Sequence, residues 1–212
     1  MCYEQPSIHD RCVDMCALIV IEGIDGSGKT TQAKLLFKKL VRRNYRVALL
    51  AEPTNSLYGI EIRKKLMTGN YTAEELYQLF VKDRILNANR IRKLMKLGYV
   101  VILDRYYMST IAYQGAQGIP IDKILRDHIN VPKPDIIIIL DIDPRKALNR
   151  LKRKDTFEKI DFLERVRKIY LEIPKILSRY GITIKIIDAD RDPEKISREI
   201  LAVVCSKIHC KV

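Results

Sequence analysis

Short apolar segments alternate along this chain with longer segments in which apolar residues recur at helical spacing. The apolar segments are nearly continuous, as is typical of strands buried on both faces of a parallel sheet, and lie at residues 17–21, 46–50, 99–103, 135–140 and 183–187. The segments of helical periodicity lie at residues 29–43, 72–97, 144–153, 160–179 and 193–207. Pro144 and Pro193 suit first helical turns, and Gly98 and Gly181 suit helix ends. The alternation predicts an α/β fold, a three-layer open parallel five-stranded sheet with helices on both faces.

Length and charge limit the classes of protein that fit. A chain of 212 residues suits one domain over residues 1–212, with residues 1–15 as an N-terminal extension. The net charge of +13 attracts anions, but the basic residues are scattered and interrupted by acids. A phosphate-rich site and solvated helix faces therefore explain the charge better than a nucleic-acid partner does. Residues 1–15 lack the apolar core of a signal peptide, and no apolar run approaches a membrane span, so we expect a cytoplasmic protein without membrane association.

The five cysteines, at positions 2, 12, 16, 205 and 210, all lie near the ends of the sequence. They form no C-x-x-C pair, which argues against a zinc site. Partly buried thiols and a disulfide between the terminal regions are both open.

A glycine-rich segment follows the first predicted strand and reads Gly23-Ile24-Asp25-Gly26-Ser27-Gly28-Lys29-Thr30, then Thr31. The spacing G-x-x-x-x-G-K-[ST] is the Walker A pattern, and these nine residues are the predicted ATP-binding loop. Glycines let backbone N–H groups point at phosphates, and the following helix adds the positive end of its dipole. Lys29 is expected to reach the β- and γ-phosphates, and the Thr30 hydroxyl to ligate Mg²⁺. For Asp25, a turn residue and a contact to the acceptor phosphate or to a magnesium-bound water are both open.

A second charged motif, Asp104-Arg105-Tyr106, follows the third predicted strand. The carboxyl ends of parallel strands carry the ligand site in open α/β sheets, so Asp104 is expected near the magnesium of the first loop. Arg105 adds a planar fork of donors suited to phosphate oxygens. Asp141 after the fourth strand is a rival for the magnesium position, but no arginine follows it directly, and Asp104 is preferred.

Several motifs together resemble the thymidylate kinase family. They are the loop extended to Gln32, Glu52-Pro53-Thr54 after the second strand, Leu79-Phe80-Val81-Lys82-Asp83-Arg84 on the long helix, and residues 104–115, which read DRYYMSTIAYQG. These motifs follow the family's order and span about residues 17–189. The resemblance implies an ATP-dependent kinase that phosphorylates dTMP with Mg²⁺, and a homodimer packed through helices.

The resemblance also implies an acceptor site. Its residues are Glu52, Phe80, Arg84, Arg105, Ser109, Thr110, Tyr113 and Gln114. Phe80 and Arg84 are spaced to share a helical face, and are implied to stack on the thymine and to donate to a base carbonyl. Arg105 is implied to hold the dTMP phosphate, and Tyr113 to crowd the ribose 2′ carbon.

The remaining acceptor residues receive looser predictions from the same resemblance. Thr110 and Gln114 supply polar groups for the base edge, and Ser109 supports the turn. Glu52 is expected to hold the sugar or a magnesium-bound water, with Arg63 near it. The loop after the second strand departs from the E-P-G-G-T of many relatives.

Catalysis requires positive charge where the transferring phosphoryl group spreads its negative charge. Some thymidylate kinases place an arginine directly after the loop aspartate, where this chain has Gly26. The resemblance then implies a lid arginine within residues 150–158, with Arg153 preferred and Arg150 second. Phe157-Glu158 resembles the family's aromatic–glutamate pair.

Two other functions are open at the level of sequence. One is a kinase for another pyrimidine acceptor, such as dUMP or a deoxynucleoside, with Glu22 or Glu52 as base. The other is a nucleotide-gated ATPase that regulates a nucleic acid, for which the basic charge is the only support.

Overall fold

A five-stranded parallel sheet forms the centre of the protein. The computed structural model describes residues 16–151 and 157–208, with only the backbone of residues 157 and 158. The strands are β1 (Ala17–Glu22), β2 (Val47–Ala51), β3 (Val100–Asp104), β4 (Ile136–Asp141) and β5 (Thr183–Asp188). Their order is β2-β3-β1-β4-β5, and every neighbouring pair is parallel. The predicted fold class is confirmed.

The sheet is buried because its central strands are almost purely aliphatic. All residues of β1 and β3 are buried, and β4 is buried except at Asp141. The outer strands β2 and β5 are only partly buried. This gradient explains why the central strands read as continuous apolar segments.

Eight helices flank the sheet in the described part of the chain. They are α1 (Lys29–Val41), α2 (Leu57–Thr68), α3 (Ala73–Lys96), α4 (Tyr107–Ala116), α5 (Ile121–Asp127), α6 (Pro144–Arg150), α7 (Phe157–Ile176) and α8 (Pro193–Ile208). Helix α1 packs on α8, α2 on α3, and α4 on α7. Thr72 forms a capping box with Glu75 at the start of α3, and Pro144 lies in the first turn of α6 as predicted.

The predicted helix bounds need correction at two places. The helix expected over 144–153 ends at Arg150, and the helix expected over 160–179 runs from Phe157 to Ile176, followed by a short 3₁₀ turn at Ser178–Tyr180. Helices α2, α4 and α5 were not predicted. Helix α5 has only seven residues, α2 buries only Gly59 and Ile62, and the residues of α4 were interpreted as a binding motif, so none showed a clear apolar periodicity.

The two cysteines within the described residues differ in oxidation state and exposure. Cys205 is buried on α8 and disulfide-bonded, whereas Cys16 is an exposed free thiol. Cys2, Cys12 and Cys210 lie outside the described residues, as does the predicted N-terminal extension. Within residues 16–151 and 157–208, no helix is both long enough and apolar enough to cross a membrane.

Candidate active site

The glycine-rich loop joins β1 to α1 and turns through backbone conformations that favour glycine. Gly26 has φ +84°, and a Cβ built on it would lie 2.2 Å from the carbonyl oxygen of Ala147 in α6. An arginine at position 26 is therefore incompatible with this packing. The packing against Ala147 gives a physical reason why this chain has glycine at position 26.

Lys29 lies at the base of this loop and is almost fully buried. Its Nζ donates to the carbonyl oxygen of Ile24 at 2.8 Å and lies 4.0 Å from Asp25. Burial first, and then the charge of Arg105, lower the pKa of Lys29, while nearby carboxylates oppose the shift, and the net pKa is about 7. The free site therefore favours the neutral form of Lys29, and a bound anion favours the charged form.

Thr30 and Asp104 meet at the carboxyl edge of the sheet. The Thr30 hydroxyl donates to Asp104 Oδ2, which joins the first turn of α1 to the end of β3. The rival residue Asp141 instead accepts two hydrogen bonds from Arg167, at 2.6 and 2.8 Å. Asp104 therefore contacts the phosphate loop, whereas Asp141 is engaged by helix α7.

A cleft of about 690 Å³ opens above the loop, and we call it the donor cleft. Its wall contains Asp25, Gly26, Ser27, Gly28, Lys29, Thr30, Thr31, Gln32, Glu52, Asp104, Arg105, Arg150, Leu151, Ala189, Arg191, Pro193 and Ile196. Gly23 and Ile24 are not on this wall, and the Ile24 side chain packs in the core. Arg150 donates to the carbonyl oxygen of Ala189 at 3.0 Å. The preferred lid residue, Arg153, lies outside the described residues, as do the side chains of Phe157 and Glu158.

Arg105 directly follows β3 and adopts a left-handed backbone conformation, with φ +73°. Its guanidinium donates to Ser109 Oγ at 3.0 Å and forms an ion pair with Asp25. The same group lies 5.3 Å from the centre of the Tyr113 ring. The second motif and the phosphate loop are therefore in direct contact.

Glu22, the last residue of β1, fixes the turn that carries Arg105. Its carboxylate accepts from the backbone N–H of Tyr106 at 2.7 Å and of Ser109 at 3.2 Å, and from the hydroxyls of Ser109 and Tyr170. Burial raises the pKa of Glu22, and these donors oppose the shift. Sequence reasoning considered Glu22 only as a base, although an acid ending a fully buried strand is a signal for such a structural role.

A second cleft of about 290 Å³ adjoins the first, and we call it the acceptor cleft. It brings together all the predicted acceptor residues: Glu52, Phe80, Arg84, Arg105, Ser109, Thr110, Tyr113 and Gln114. For Asp25, also on this wall, the sequence left open a contact to the acceptor phosphate, whereas sequence reasoning missed the remaining wall residues, which are Pro53, Leu66, Tyr71, Leu76, Gln117 and Phe162. Most of these are apolar or aromatic and carry no motif that separates them from core residues.

Arg84 is fully buried in the acceptor cleft and is held by several partners. Its Nε donates to Glu52 at 2.7 Å, and its Nη1 donates to Thr110 at 2.9 Å. Asn87 donates to the other oxygen of Glu52 at 2.9 Å. Burial raises the pKa of Glu52, while Arg84 and Asn87 oppose the shift. Both carboxylate oxygens of Glu52 are therefore engaged by protein groups.

The loop after β2 is tied to α3 by the buried carboxylate of Asp83. This group accepts from the Thr54 backbone N–H at 2.8 Å and from the hydroxyls of Thr54 and Ser56 at 2.5 and 2.6 Å. Arg63 donates to the Pro53 carbonyl oxygen at 3.0 Å. This chain therefore differs from the E-P-G-G-T of many relatives by placing at positions 54 and 56 hydroxyl groups that both bind Asp83.

The two clefts share Asp25, Glu52 and Arg105. One cleft is lined by a phosphate-binding loop. The other combines the aromatic ring of Phe80, the buried guanidinium of Arg84, and Arg105, whose guanidinium is suited to binding phosphate. This fold and this pair of adjoining sites define a P-loop kinase of the nucleoside monophosphate kinase type.

Comparison with known proteins identifies the family within that class. The family model for thymidylate kinase matches residues 21–200. A probable thymidylate kinase of Archaeoglobus fulgidus is 38% identical over 199 residues, which cover 92% of this chain and 97% of that protein. Thymidylate kinases of Xanthomonas euvesicatoria and Xanthomonas oryzae are each 37% identical over 198 residues, covering 90% of this chain and 84% of theirs. The chain belongs to the thymidylate kinase family, and the predicted family and enzyme class are confirmed.

Proposed function

We propose that this protein transfers the γ-phosphoryl group of ATP to dTMP by direct in-line transfer, without a covalent enzyme intermediate. Family membership supports the reaction. The observation that carries the proposed mechanism is that the two clefts meet at Arg105 and Asp25. A donor in one cleft and an acceptor in the other present their phosphates to each other across these residues.

The donor cleft binds ATP through the loop of residues 23–31. Backbone N–H groups surround the phosphates, and the buried Lys29 neutralises their charge. Arg150, beside the loop and the Ala189 carbonyl, is the described lid arginine, and Arg153 stays the preferred prediction from sequence. The lid predicted from sequence over residues 150–158, whose closure would exclude water so that ATP is not simply hydrolysed, lies largely outside the described residues.

The residues Thr30 and Asp104 fit a magnesium ion. A hydroxyl and a carboxylate in contact are hard oxygen ligands, and Mg²⁺ usually takes one or two protein ligands besides phosphates and water. The described residues contain no cluster of three or more His, Cys, Asp or Glu suited to a metal. When bound, the ion would supply positive charge at the donor phosphates.

The acceptor cleft binds dTMP. Arg105 grips its phosphate, Phe80 stacks on the thymine, and Arg84 donates to a base carbonyl. Ser109 accepts a hydrogen bond from Arg105, which supports its role in holding the turn. Tyr113, between Arg105 and Phe162, fits a wall against the ribose.

The structure supports the predicted roles of Thr110, Gln114 and Glu52 to different extents. Thr110 contacts Arg84 directly, so it acts on the base edge through that guanidinium as well. Gln114 lines the cleft with its side chain buried. Glu52 is engaged by Arg84 and Asn87, and a contact of Glu52 with the sugar or a magnesium-bound water stays a prediction.

The engaged carboxylates also bear on the alternative acceptors. A deoxynucleoside kinase requires a base at the 5′-hydroxyl, but Glu22 and Glu52 both accept several hydrogen bonds from protein groups. A phosphate acceptor is already ionised and requires no such base. The arrangement therefore favours a nucleotide over a nucleoside.

One assay tests this function. With Mg-ATP and a panel of dTMP, dUMP and thymidine, we expect dTDP as the main product, detected by chromatography. Lys29→Ala and Arg105→Ala are each expected to slow turnover at least about 100-fold with the fold intact. Lys175→Ala and Arg179→Ala, at exposed positions, serve as matched controls. ATP loss without a diphosphate product, or near-normal rates for either active-site variant, would overturn the proposal.

A homodimer and a cytoplasmic location complete the proposal. Helix α2 exposes Leu57, Ile60 and Met67, whose spacing places them along one face. Exposed apolar side chains grouped on a surface helix are typical of a contact between subunits, and here the exposed Lys64 lies among them. The cytoplasmic location rests on the sequence alone.

A further inference from the structure

His128 is a buried residue of the acceptor side that no motif identified. It follows the last turn of α5 and is only 5% exposed. Its Nε2 lies 2.7 Å from Arg84 Nη1, and its Nδ1 lies 2.7 Å from the Ile124 carbonyl oxygen. The imidazole is thus the link between a backbone carbonyl and the buried guanidinium.

These two contacts determine the protonation of the ring. A carbonyl oxygen only accepts, so Nδ1 carries the proton, and a guanidinium only donates, so Nε2 carries a lone pair. Both partners select the same neutral tautomer. Burial, and after it the charge of Arg84, together lower the pKa of His128 to about 3.

The neutral ring orients Arg84 without adding charge. Glu52 already neutralises the guanidinium through Nε, while Thr110 and His128 together hold Nη1. Nη2 makes no hydrogen bond to the described part of the chain, and Arg84 lines the acceptor cleft. Glu52, Thr110 and His128 therefore fix the direction in which the N–H groups of Nη2 point.

We propose that His128 is a positioning residue for the acceptor base, which acts by holding Arg84 so that Nη2 donates to the pyrimidine carbonyl. The inference rests on the proposed function, in which Arg84 contacts the base. His128 does not touch the nucleotide in this scheme. Its ring also stacks on Tyr107, with centres 5.8 Å apart, so it joins α5 to the start of α4.

Steady-state kinetics with a matched pair of variants tests the proposal. His128→Leu keeps volume but removes the acceptor, and His128→Gln keeps an acceptor near the position of Nε2. We expect His128→Leu to raise KM for dTMP about tenfold, as for loss of one hydrogen bond to a charged group, with kcat and KM for ATP within about twofold. His128→Gln should restore KM for dTMP to within about threefold of wild type.

A double-variant cycle separates positioning from general stability. In an Arg84→Met background, His128→Leu should raise KM for dTMP no further, because the group it orients is gone. A further rise in that background, equal to the rise in wild type, would overturn the proposal. So would an unchanged KM for dTMP in folded His128→Leu. Wild-type protein that fails to phosphorylate dTMP would instead overturn the proposed function.

A direct measurement covers the case in which His128→Leu does not fold. The chain has three histidines, so ¹⁵N imidazole spectra of wild type and His128→Gln assign the His128 signals by difference. We expect a neutral ring protonated at Nδ1 from about pH 5 to pH 8, as both contacts require. A ring protonated at Nε2, or one that titrates within that range, would contradict the proposal.

Discussion

At the scale of single residues, Arg105 combines a strained backbone with a binding role. A left-handed conformation costs a residue with a side chain about 1–2 kcal/mol relative to glycine. Here φ is +73°, and the turn is kept in place by the hydrogen bonds that Glu22 accepts from Tyr106 and Ser109. Strain of this kind persists where a functional side chain must be presented from a fixed position.

Two substitutions separate the strain from the charge. Arg105→Ala and Arg105→Gly both lose the guanidinium, but only glycine relieves the backbone. We expect Arg105→Gly to be more stable than Arg105→Ala by about 1 kcal/mol in chemical denaturation, with both inactive. The same pair at Arg179, which has no left-handed backbone, should show the reverse order. Equal stabilities at position 105 would show that the turn is not strained.

Lys29 gives a prediction about pH. Its pKa of about 7 lies below the usual value, so the free protein holds Lys29 largely neutral at about pH 8. Bound phosphates raise that pKa, so Mg-ATP binding at about pH 8 should take up about one proton, and at about pH 6 almost none. Calorimetry in buffers of different ionisation enthalpy measures the uptake. Lys29→Arg, which keeps its charge throughout, should abolish it, whereas equal heats in all buffers for wild type at about pH 8 would contradict the assignment.

At the scale of secondary-structure elements, the connection between β2 and α2 depends on α3. Asp83 accepts three hydrogen bonds from Thr54 and Ser56, and Ser56 in turn caps α2 through the N–H of Gly59. A Cβ on Gly59 would lie 2.0 Å from the Thr54 carbonyl oxygen. The loop that bears Glu52 is therefore positioned by a carboxylate from a different helix.

Asp83→Asn tests this connection. The amide replaces one acceptor oxygen by a donor that faces other donors, so we expect a loss of about 1–3 kcal/mol in the free energy of unfolding. KM for dTMP should rise while KM for ATP changes little, because the loop borders Arg84 through Glu52. Asp161→Asn, at an exposed position on α7, is the matched control. An effect on ATP alone would be inconsistent with this role.

Elements were predictable from sequence where burial is uniform. The central strands are apolar along their whole length, so their bounds were predicted within one or two residues. Helix α4 was not predicted because its residues were interpreted as a binding motif, and α5 is too short to show periodicity. The end of α7 was predicted too late, because a 3₁₀ turn follows it before Gly181.

At the scale of the whole molecule, the apolar face of α2 predicts the assembly. Size-exclusion chromatography with light scattering should give about twice the chain mass of 24.6 kDa. Ile60→Glu should shift the protein to the monomer, because a charge on an apolar contact is costly. Ile129→Glu, at a still more exposed position in the turn after α5 (70% exposed against 53% for Ile60), should leave the dimer intact. A monomeric wild type would exclude this assembly.

The site residues that lie together in one motif could be predicted from the sequence, and those far apart in the sequence could not. Lys29 and Thr30 lie in one loop, and Phe80 and Arg84 on one helical turn, so spacing alone brought each pair together. Glu22 and His128 act across 84 and 44 positions respectively, on Tyr106 and Arg84. One sequence contains no record of such pairings, and only the sheet order and the packing of α5 bring these groups into contact.

Strand β1 continues into the loop that surrounds the donor phosphates, and its last residue, Glu22, also fixes the turn that grips the acceptor phosphate. The donor-phosphate loop and the turn that carries Arg105 are therefore both positioned by the same buried central strand. Thermal motion of the outer helices changes access to each nucleotide but leaves the spacing between attacking oxygen and phosphorus nearly constant. Warming this protein should then loosen substrate affinity well before it disturbs the alignment on which phosphoryl transfer depends.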